Sequence, residues 1–381
     1  MNVLILGGDG YLGWATAMHL SARGHNACVV DNYLRRCLSR EIDKEPLIDV
    51  PNLHTRAEIW KATSGYSVDV RIGDLCDYPF LLEVMRDTHP DVIMHYAEMP
   101  SAPYSMMNQG TASLTVNNNL NATLNVTFAM REVSPKCHLV KLGTMGEYGT
   151  PNIDIEEGYL DIEHNGRKDT FLYPKKPGSI YHLTKVQDSD FMYLATRTWG
   201  LSITDLNQGP VYGIETEEMA ADERLAPLFN YDDVFGTVLN RFIVQAVHGE
   251  PLTVYGKGGQ KRGFLNIKDT LQCVELAMNN PADAGEFRVF NQFTEVFSVN
   301  ELAAHVHRVG AGLGFDVQVQ NVANPRVELE EHYYNPKNTG FKDMGLKPHL
   351  LTDEALCAMI EYVARHKDAI RSDYILPKVK W

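Results

Sequence analysis

Paired cysteines, long apolar runs and an excess of positive charge are all missing from this sequence, and each absence removes a class of function. The six cysteines, Cys28, Cys37, Cys76, Cys137, Cys273 and Cys357, include no Cys-x-x-Cys pair and lack the dense spacing of a secreted disulfide scaffold. They read as reduced core thiols, and no metal site is expected. No apolar stretch approaches the roughly 18 residues of a membrane-spanning helix. The run Val3-Leu4-Ile5-Leu6 follows Met1 with no basic leader, so a cytoplasmic protein without membrane insertion is expected. Asn121-Ala-Thr123 and Asn125-Val-Thr127 match the glycosylation pattern but stay idle without a secretory signal. Lysine and arginine number 35 against 49 aspartate and glutamate, a net charge of −14, which opposes attraction to nucleic acid or an anionic membrane. A small phosphorylated ligand, held by a few local cations and backbone donors, is compatible with that balance. No internal repeat or low-complexity tract is visible.

What is present is a regular alternation. Short apolar runs at Val3 to Leu6, Ala27 to Val30, Val68 to Arg71, Val92 to Tyr96 and His138 to Leu142 read as buried strands. Helical segments fall between them, at about Leu12 to Arg23, Pro79 to Thr88, Thr115 to Glu132 and Tyr181 to Thr198. This predicts an α/β fold with a doubly wound parallel sheet of the Rossmann kind. The stretch Asp31 to Asp74 is long for one crossover and is expected to be an excursion near the cofactor edge. Later the character changes to longer polar loops, a strand at Leu252 to Tyr255, and helices near Val234 to His248, Asp269 to Met278 and Val299 to Val309. The expected division is a cofactor domain at 1–205 and a smaller α/β substrate lobe at 206–381, with some later segments returning to the first domain.

Gly7-Gly-Asp-Gly10-Tyr-Leu-Gly13 lies between the first strand and the first helix, with the spacing GxxGxxG. Such glycines let the backbone turn tightly against a pyrophosphate whose charge faces the helix N-terminus. The second strand ends in Asp31, where a carboxylate can accept both ribose hydroxyls and would repel a 2′-phosphate, so NAD is expected over NADP. Arg35 and Arg36, just beyond, pull the other way. Gly73-Asp74-Leu75 would place a carboxylate beside the adenine. Tyr181-His-Leu-Thr-Lys185 sets a phenol and an ammonium one helical turn apart on one face. The ammonium, with a nicotinamide cation, is expected to lower the phenol's pKa so that Tyr181 can take a hydroxyl proton. Thr144, at the end of the strand begun by His138, offers a hydroxyl to the same substrate oxygen.

The glycine turn, Asp31, Thr144 and Tyr181/Lys185, in that order, resemble the extended short-chain dehydrogenase/reductase family. Asp205-Leu-Asn207-Gln-Gly209 and Tyr255-Gly-Lys-Gly-Gly-Gln-Lys-Arg262 resemble its nucleotide-sugar branch, in which the arginine would meet the diphosphate. Sugar 4,6-dehydratases of the family carry an Asp-Glu pair directly after the threonine, where this chain has Met145 and Gly146. The segment Leu142-Gly-Thr-Met-Gly-Glu147-Tyr-Gly-Thr-Pro instead resembles the UDP-sulfoquinovose synthase family, as do Ser101-Ala-Pro-Tyr-Ser-Met106, Asn291-Gln-Phe-Thr-Glu295 and Asn324-Pro-Arg326-Val-Glu328. One departure stands out: that family commonly has a polar run such as Glu-Gln-Arg before Ser-Ala-Pro, whereas Glu98 here precedes Met99-Pro100.

The resemblance implies a reaction of UDP-glucose with sulfite, or with a sulfite-donating protein, on bound NAD. It also implies a homodimer paired through the helices Thr115 to Glu132 and Tyr181 to Thr198. Its implied cofactor set is Gly7, Gly10, Tyr11, Leu12, Gly13, Asp31, Asn32, Arg35, Arg36, Asp74, Leu75, Tyr96, Ala97, Glu98, Asn119, Leu142, Tyr181 and Lys185. Its implied substrate set is Ser101, Thr144, Asn207, Gln208, Tyr255, Gln260, Arg262, Arg326 and Glu328. Thr144, Met145, Tyr181 and Lys185 form the expected catalytic group, and with no acid pair present His182 and Glu147 are the candidates for moving the C5 and C6 protons. A UDP-sugar 4-epimerase would use the same Thr144, Tyr181 and Lys185. A non-catalytic NAD sensor would typically have lost the tyrosine or the lysine.

Overall fold

The computed structural model describes residues 1–325, 332–376 and 378. The first half of the chain runs β1 (Asn2–Leu6), α1 (Tyr11–Ala22), β2 (Asn26–Asp31), α2 (Leu34–Glu41), α3 (Leu53–Ser64), β3 (Val68–Ile72), α4 (Tyr78–Thr88), β4 (Val92–His95), α5 (Ala102–Met106), α6 (Gln109–Val133) and β5 (His138–Thr144). The middle adds β6 (Tyr159–His164), β7 (Arg167–Leu172), α7 (Ile180–Trp199), β8 (Ser202–Gln208), β9 (Val211–Tyr212) and α8 (Val238–His248). The remainder is β10 (Leu252–Tyr255), β11 (Lys261–Asn266), α9 (Ile267–Asn279), β12 (Phe287–Gln292), β13 (Glu295–Ser298), α10 (Val299–Gly312), β14 (Val319–Val322), α11 (Gly340–Asp343) and α12 (Asp353–Arg365).

Seven strands form one sheet in the order β12-β8-β5-β4-β1-β2-β3, every neighbouring pair parallel. Leu4 of central β1 pairs with Cys28 on one side and Ile93 on the other. Val3 and Ile5 point into the core on one face while Leu4 and Leu6 point into the core on the other. A strand covered on both faces has no polar side to show, which is why it reads as an unbroken apolar run. Helix α1 follows the same logic. Residues Gly13 through Ser21 are all buried, because the helix is covered by the sheet on one side and by α9 on another, and it carries no polar stripe.

The excursion between β2 and β3 folds as α2 and α3. Helix α8 starts at Val238, four residues later than its pattern suggests, because Asp232 accepts the amides of Val234 and Phe235 and Thr237 caps the helix. Two elements lie beyond the expected set: the largely exposed hairpin β6–β7, whose turn at Asn165-Gly166 has both φ angles positive (51° and 72°), and α12, whose Leu356, Met359, Ile360 and Val363 form a buried apolar stripe. Strand β12 pairs with β8 and so returns the late chain to the main sheet.

Candidate active site

The carboxyl ends of β1, β2, β3, β4, β5 and β8 open onto a cavity of about 890 Å³, lined among others by Gly7, Asp31, Gly73, Tyr96, Leu142 and Gln208. A Cβ added at Gly7 (φ +90°) would lie 2.8 Å from the Ala97 amide nitrogen, and one at Gly13 would lie 2.0 Å from the Gly7 carbonyl oxygen. The turn is thus sealed against the sheet below and the helix behind, and its Gly10, Tyr11 and Leu12 face the cavity. Tyr11 reaches out of the turn to donate its hydroxyl to the Gly213 carbonyl at 2.5 Å.

Asp31 accepts the amides of Asp9 at 2.9 Å and Tyr33 at 2.7 Å. Burial, with the nearby Asp9 carboxylate adding to it, pushes the Asp31 carboxyl up from 3.8 to about 6. Arg36 does not stand free for a 2′-phosphate, since Asp9 grips it bidentately at 2.9 and 2.7 Å and the Val50 carbonyl takes a further N–H at 2.7 Å. Arg35 donates to Asn230 at 2.6 Å and lies over the Phe235 ring. Asp9, unremarked in the sequence though it stands inside the glycine turn, also accepts from the buried Arg56 at 2.5 Å. These residues fit NAD: a glycine cradle for the pyrophosphate, a ribose carboxylate, and an Arg36 guanidinium already engaged by Asp9.

The raised Asp31 carboxyl gives a pH dependence. Only the ionised form accepts both ribose hydroxyls, so NAD affinity should hold above about pH 6 and fall as pH drops through it, by up to about tenfold per pH unit. Isothermal titration of the cofactor-free protein from pH 8 to 5 measures this, and a flat profile would exclude Asp31 as the ribose acceptor.

Asn32, Asp74, Leu75, Tyr96, Ala97 and Glu98 line the cavity as expected. Asn119 does not: it is fully buried, with its carbonyl accepting the Met99 amide at 2.8 Å and its amide donating to Thr184 at 3.1 Å. It therefore braces the wall without touching its contents.

Thr144 accepts the Gly146 amide at 3.1 Å, which leaves its hydroxyl proton to donate into the cavity. Tyr181 and His182 sit on the first turn of α7, capped by Ser179, which accepts the His182 amide at 3.1 Å. Burial, reinforced by the Glu98 carboxylate, raises the Tyr181 phenol above the usual tyrosine value. Without cofactor the net effect is thus opposite to the expected lowering, because burial outweighs the nearby cation of Lys141, while Lys185 is held by other partners. Its ammonium donates to the Leu142 carbonyl at 2.5 Å and pairs with Glu98 at 2.6 Å. The His182 ring packs over Gly146, where a Cβ would sit 2.3 Å from its Nε2. Gly146, at a position of the dehydratase acid pair, makes room for that ring. Met145 lines the cavity while packing on Tyr148, Ile155 and Tyr173.

Glu147 is not brought to the site. It is fully buried, accepts the Thr144 amide at 3.2 Å, pairs with Lys175, and does not line the cavity. Its candidacy for proton transfer gives way to a role fixing the turn that carries Thr144. Asn207 is likewise turned inward, donating to the Tyr148 hydroxyl at 2.7 Å, and its neighbour Gln208 faces the cavity instead. Ser101 lines the cavity but donates its hydroxyl to the Val234 carbonyl at 2.6 Å. Tyr255, Gln260 and Arg262 form the far wall. Arg241, absent from the expected set, joins them with its guanidinium 4.1 Å from the Tyr255 ring centroid. Arg326 and Glu328 lie outside the described residues. Among the described residues no cluster of three His, Cys, Asp or Glu side chains is placed to hold a metal, and no helix is long and apolar enough to cross a membrane.

Comparison with known proteins agrees with this geometry. The profile of the NAD dependent epimerase/dehydratase family matches residues 3–291. The chain is 53% identical over 380 residues to the chloroplastic UDP-sulfoquinovose synthase of Spinacia oleracea, an alignment spanning 100% of this chain and 79% of that protein. It is 43% identical to the UDP-sulfoquinovose synthase of Sulfolobus acidocaldarius, spanning 100% and 98%. In fold it resembles the UDP-glucose 4-epimerase of Thermotoga maritima, with TM-score 0.71, 18% identity, and 96% and 99% of the two chains covered. The sheet order, the sealed glycine turn and these full-length identities agree: the chain belongs to the NAD dependent epimerase/dehydratase family and, within it, to the UDP-sulfoquinovose synthases.

Proposed function

We propose that this chain converts UDP-glucose and sulfite to UDP-sulfoquinovose. The observation that carries this reading is the arrangement around Thr144: Tyr181 and Lys185 at hand, the Met145-Gly146 pair in place of the dehydratase acids, and His182 occupying the space Gly146 leaves. Held by the turn from Gly7 to Gly13 and by Asp31, NAD would supply a reversible hydride acceptor for C4, so the cycle carries no net redox change. Thr144 donates to the C4 oxygen of the glucose ring, and Tyr181 takes the C4 hydroxyl proton. The ketone formed at C4 acidifies C5, and His182 is the cavity-facing group placed to take the C5 proton and return it to the departing C6 hydroxyl. Sulfite then adds at C6 of the 4-keto-5-ene as bisulfite, whose proton passes through His182 to C5, and Tyr181 gives its proton back to the C4 oxygen on re-reduction. Arg262 and Arg241 supply the cationic wall suited to the diphosphate.

A 4-epimerase would use Tyr181 and Thr144 but would ignore sulfite. Purified protein incubated with UDP-glucose should yield UDP-sulfoquinovose only in the tube containing sulfite. UDP-galactose in both tubes would sink the reading.

A further inference from the structure

The residues behind the Tyr181–Lys185 pair form a buried ionic cluster that the reaction as described does not use. Glu98, on the turn after β4, sits between two ammonium groups, Lys141 of β5 and Lys185 of α7, the latter at 2.6 Å. Lys141 pairs in turn with Asp188 of α7 at 3.0 Å. All four side chains are 4% exposed or less, although Glu98 still borders the cavity. A charged residue in the middle of a strand covered on both faces is costly unless held by partners, and Lys141 has two carboxylates. It is therefore an anchor for Glu98.

We propose that Glu98 is a positioning residue for the catalytic pair: clamped by Lys141, which Asp188 holds in turn, it pins the Lys185 ammonium beside the Leu142 carbonyl, ready for the Tyr181 phenol. The inference rests on the function proposed above only through the use of Tyr181 and Lys185.

The groups facing the Lys185 ammonium come from three elements and all belong to the accounting. The end of β4 contributes His95 and Glu98, β5 contributes Lys141, and α7 contributes Tyr181 and Asp188. Burial draws the Lys185 pKa below its usual value and Glu98 opposes that fall, while Lys141 adds to it. Burial pushes the Glu98 carboxyl up, but the two lysines outweigh it and hold it at about 2. Glu98 therefore stays anionic across the working range. Replacing it with a neutral residue leaves Lys185 facing Lys141 with less compensation, so Lys185 should lose its proton at lower pH.

The test is Glu98→Gln, read in two independent ways. In [15N]lysine-labelled protein, with the Lys185 Nζ signal assigned by its absence in Lys185→Arg, Glu98→Gln should lower the pH at which Lys185 deprotonates by at least about one pH unit. In turnover of UDP-glucose with sulfite, kcat should fall at least about tenfold, with the alkaline limb of the kcat profile displaced to lower pH and KM for UDP-glucose changed less than about twofold. Unchanged Lys185 titration in the variant overturns the proposal, as does a kcat loss uniform across pH. Wild-type protein inactive toward UDP-glucose would count against the proposed reaction alone, because the titration needs no turnover. If Glu98→Gln does not fold, Glu98→Asp keeps the charge but draws it back from Lys185 on a shorter stem. It should shift the Lys185 titration in the same direction by less, and no shift there overturns the proposal equally.

Discussion

Tyr181→Phe should reduce turnover of UDP-glucose by roughly a hundred- to ten-thousand-fold, the range typical for loss of a positioned general acid–base group. The phenyl ring keeps its place at the start of α7, so cofactor affinity and melting temperature should change little. The loss should fall on kcat because phenylalanine keeps the ring but removes the oxygen that takes the sugar hydroxyl proton. Thr144 can orient the oxygen but holds a hydroxyl of its own. The phenol is raised in the cofactor-free protein by burial and by Glu98, so Tyr181 becomes a competent base only with a cation against it. Stopped-flow absorbance of reduced nicotinamide after mixing NAD-loaded enzyme with UDP-glucose reads the step directly. A variant retaining more than about a tenth of the wild-type rate would remove Tyr181 from the base role.

Gly13→Ala should cost the protein its cofactor. The added methyl would lie 2.0 Å from the Gly7 carbonyl oxygen, 2.8 Å from the Gly7 carbonyl carbon and 3.0 Å from the Gly8 Cα, all backbone atoms that no side-chain rotation can clear. Either α1 lifts from β1 or the turn opens, and overpacking of this kind costs about 1–3 kcal/mol. Spent on the turn that receives the pyrophosphate, that corresponds to roughly ten- to hundredfold weaker NAD binding. Gly10→Ala is the control for packing, since its methyl would approach nothing closer than the Gly7 carbonyl oxygen at 3.4 Å, so it should leave the melting temperature of the cofactor-free protein nearly unchanged. Equal NAD affinity in Gly13→Ala and wild type, by titration, would contradict the close approach of helix and strand.

Local spacing made much of the cofactor edge and the catalytic face legible. A glycine turn, a carboxylate at a strand end and a phenol one turn before a lysine are encoded within a few residues, and the structure places Gly7, Gly10, Gly13, Asp31, Thr144 and Tyr181 around one cavity, with Lys185 beside Tyr181. The direction in which a side chain points was harder to read. Asn119, Glu147 and Asn207 occupy the expected elements but turn inward to backbone or buried partners, a choice set by neighbours far away in sequence. For the same reason Asp9, Arg241 and the Glu98–Lys141–Asp188 cluster went unread, being assembled from separate elements. One signal was present: Lys141 interrupts an otherwise apolar strand, and a lysine there must find a buried counter-charge. The hairpin at Asn165-Gly166 was also signposted by its turn dipeptide, but its strands are mostly exposed and the alternation is confined to Leu160 and Ile162.

The return of β12 to the sheet governs how the far wall can move. The chain leaves the sheet after Gln208, comes back at Phe287 beside β8, and departs again after Gln292, with the Gly209 amide bonded to the Gln292 carbonyl at 3.0 Å. Tyr255, Gln260, Arg262 and Arg241 therefore lie on one excursion whose two ends are moored to the same strand pair. A lobe moored in this way cannot swivel on a single linker. Its freedom reduces to rocking about the line of β8 and β12, so closing over a nucleotide sugar gives up little conformational entropy, and more of the binding energy remains available to orient the ring against Tyr181.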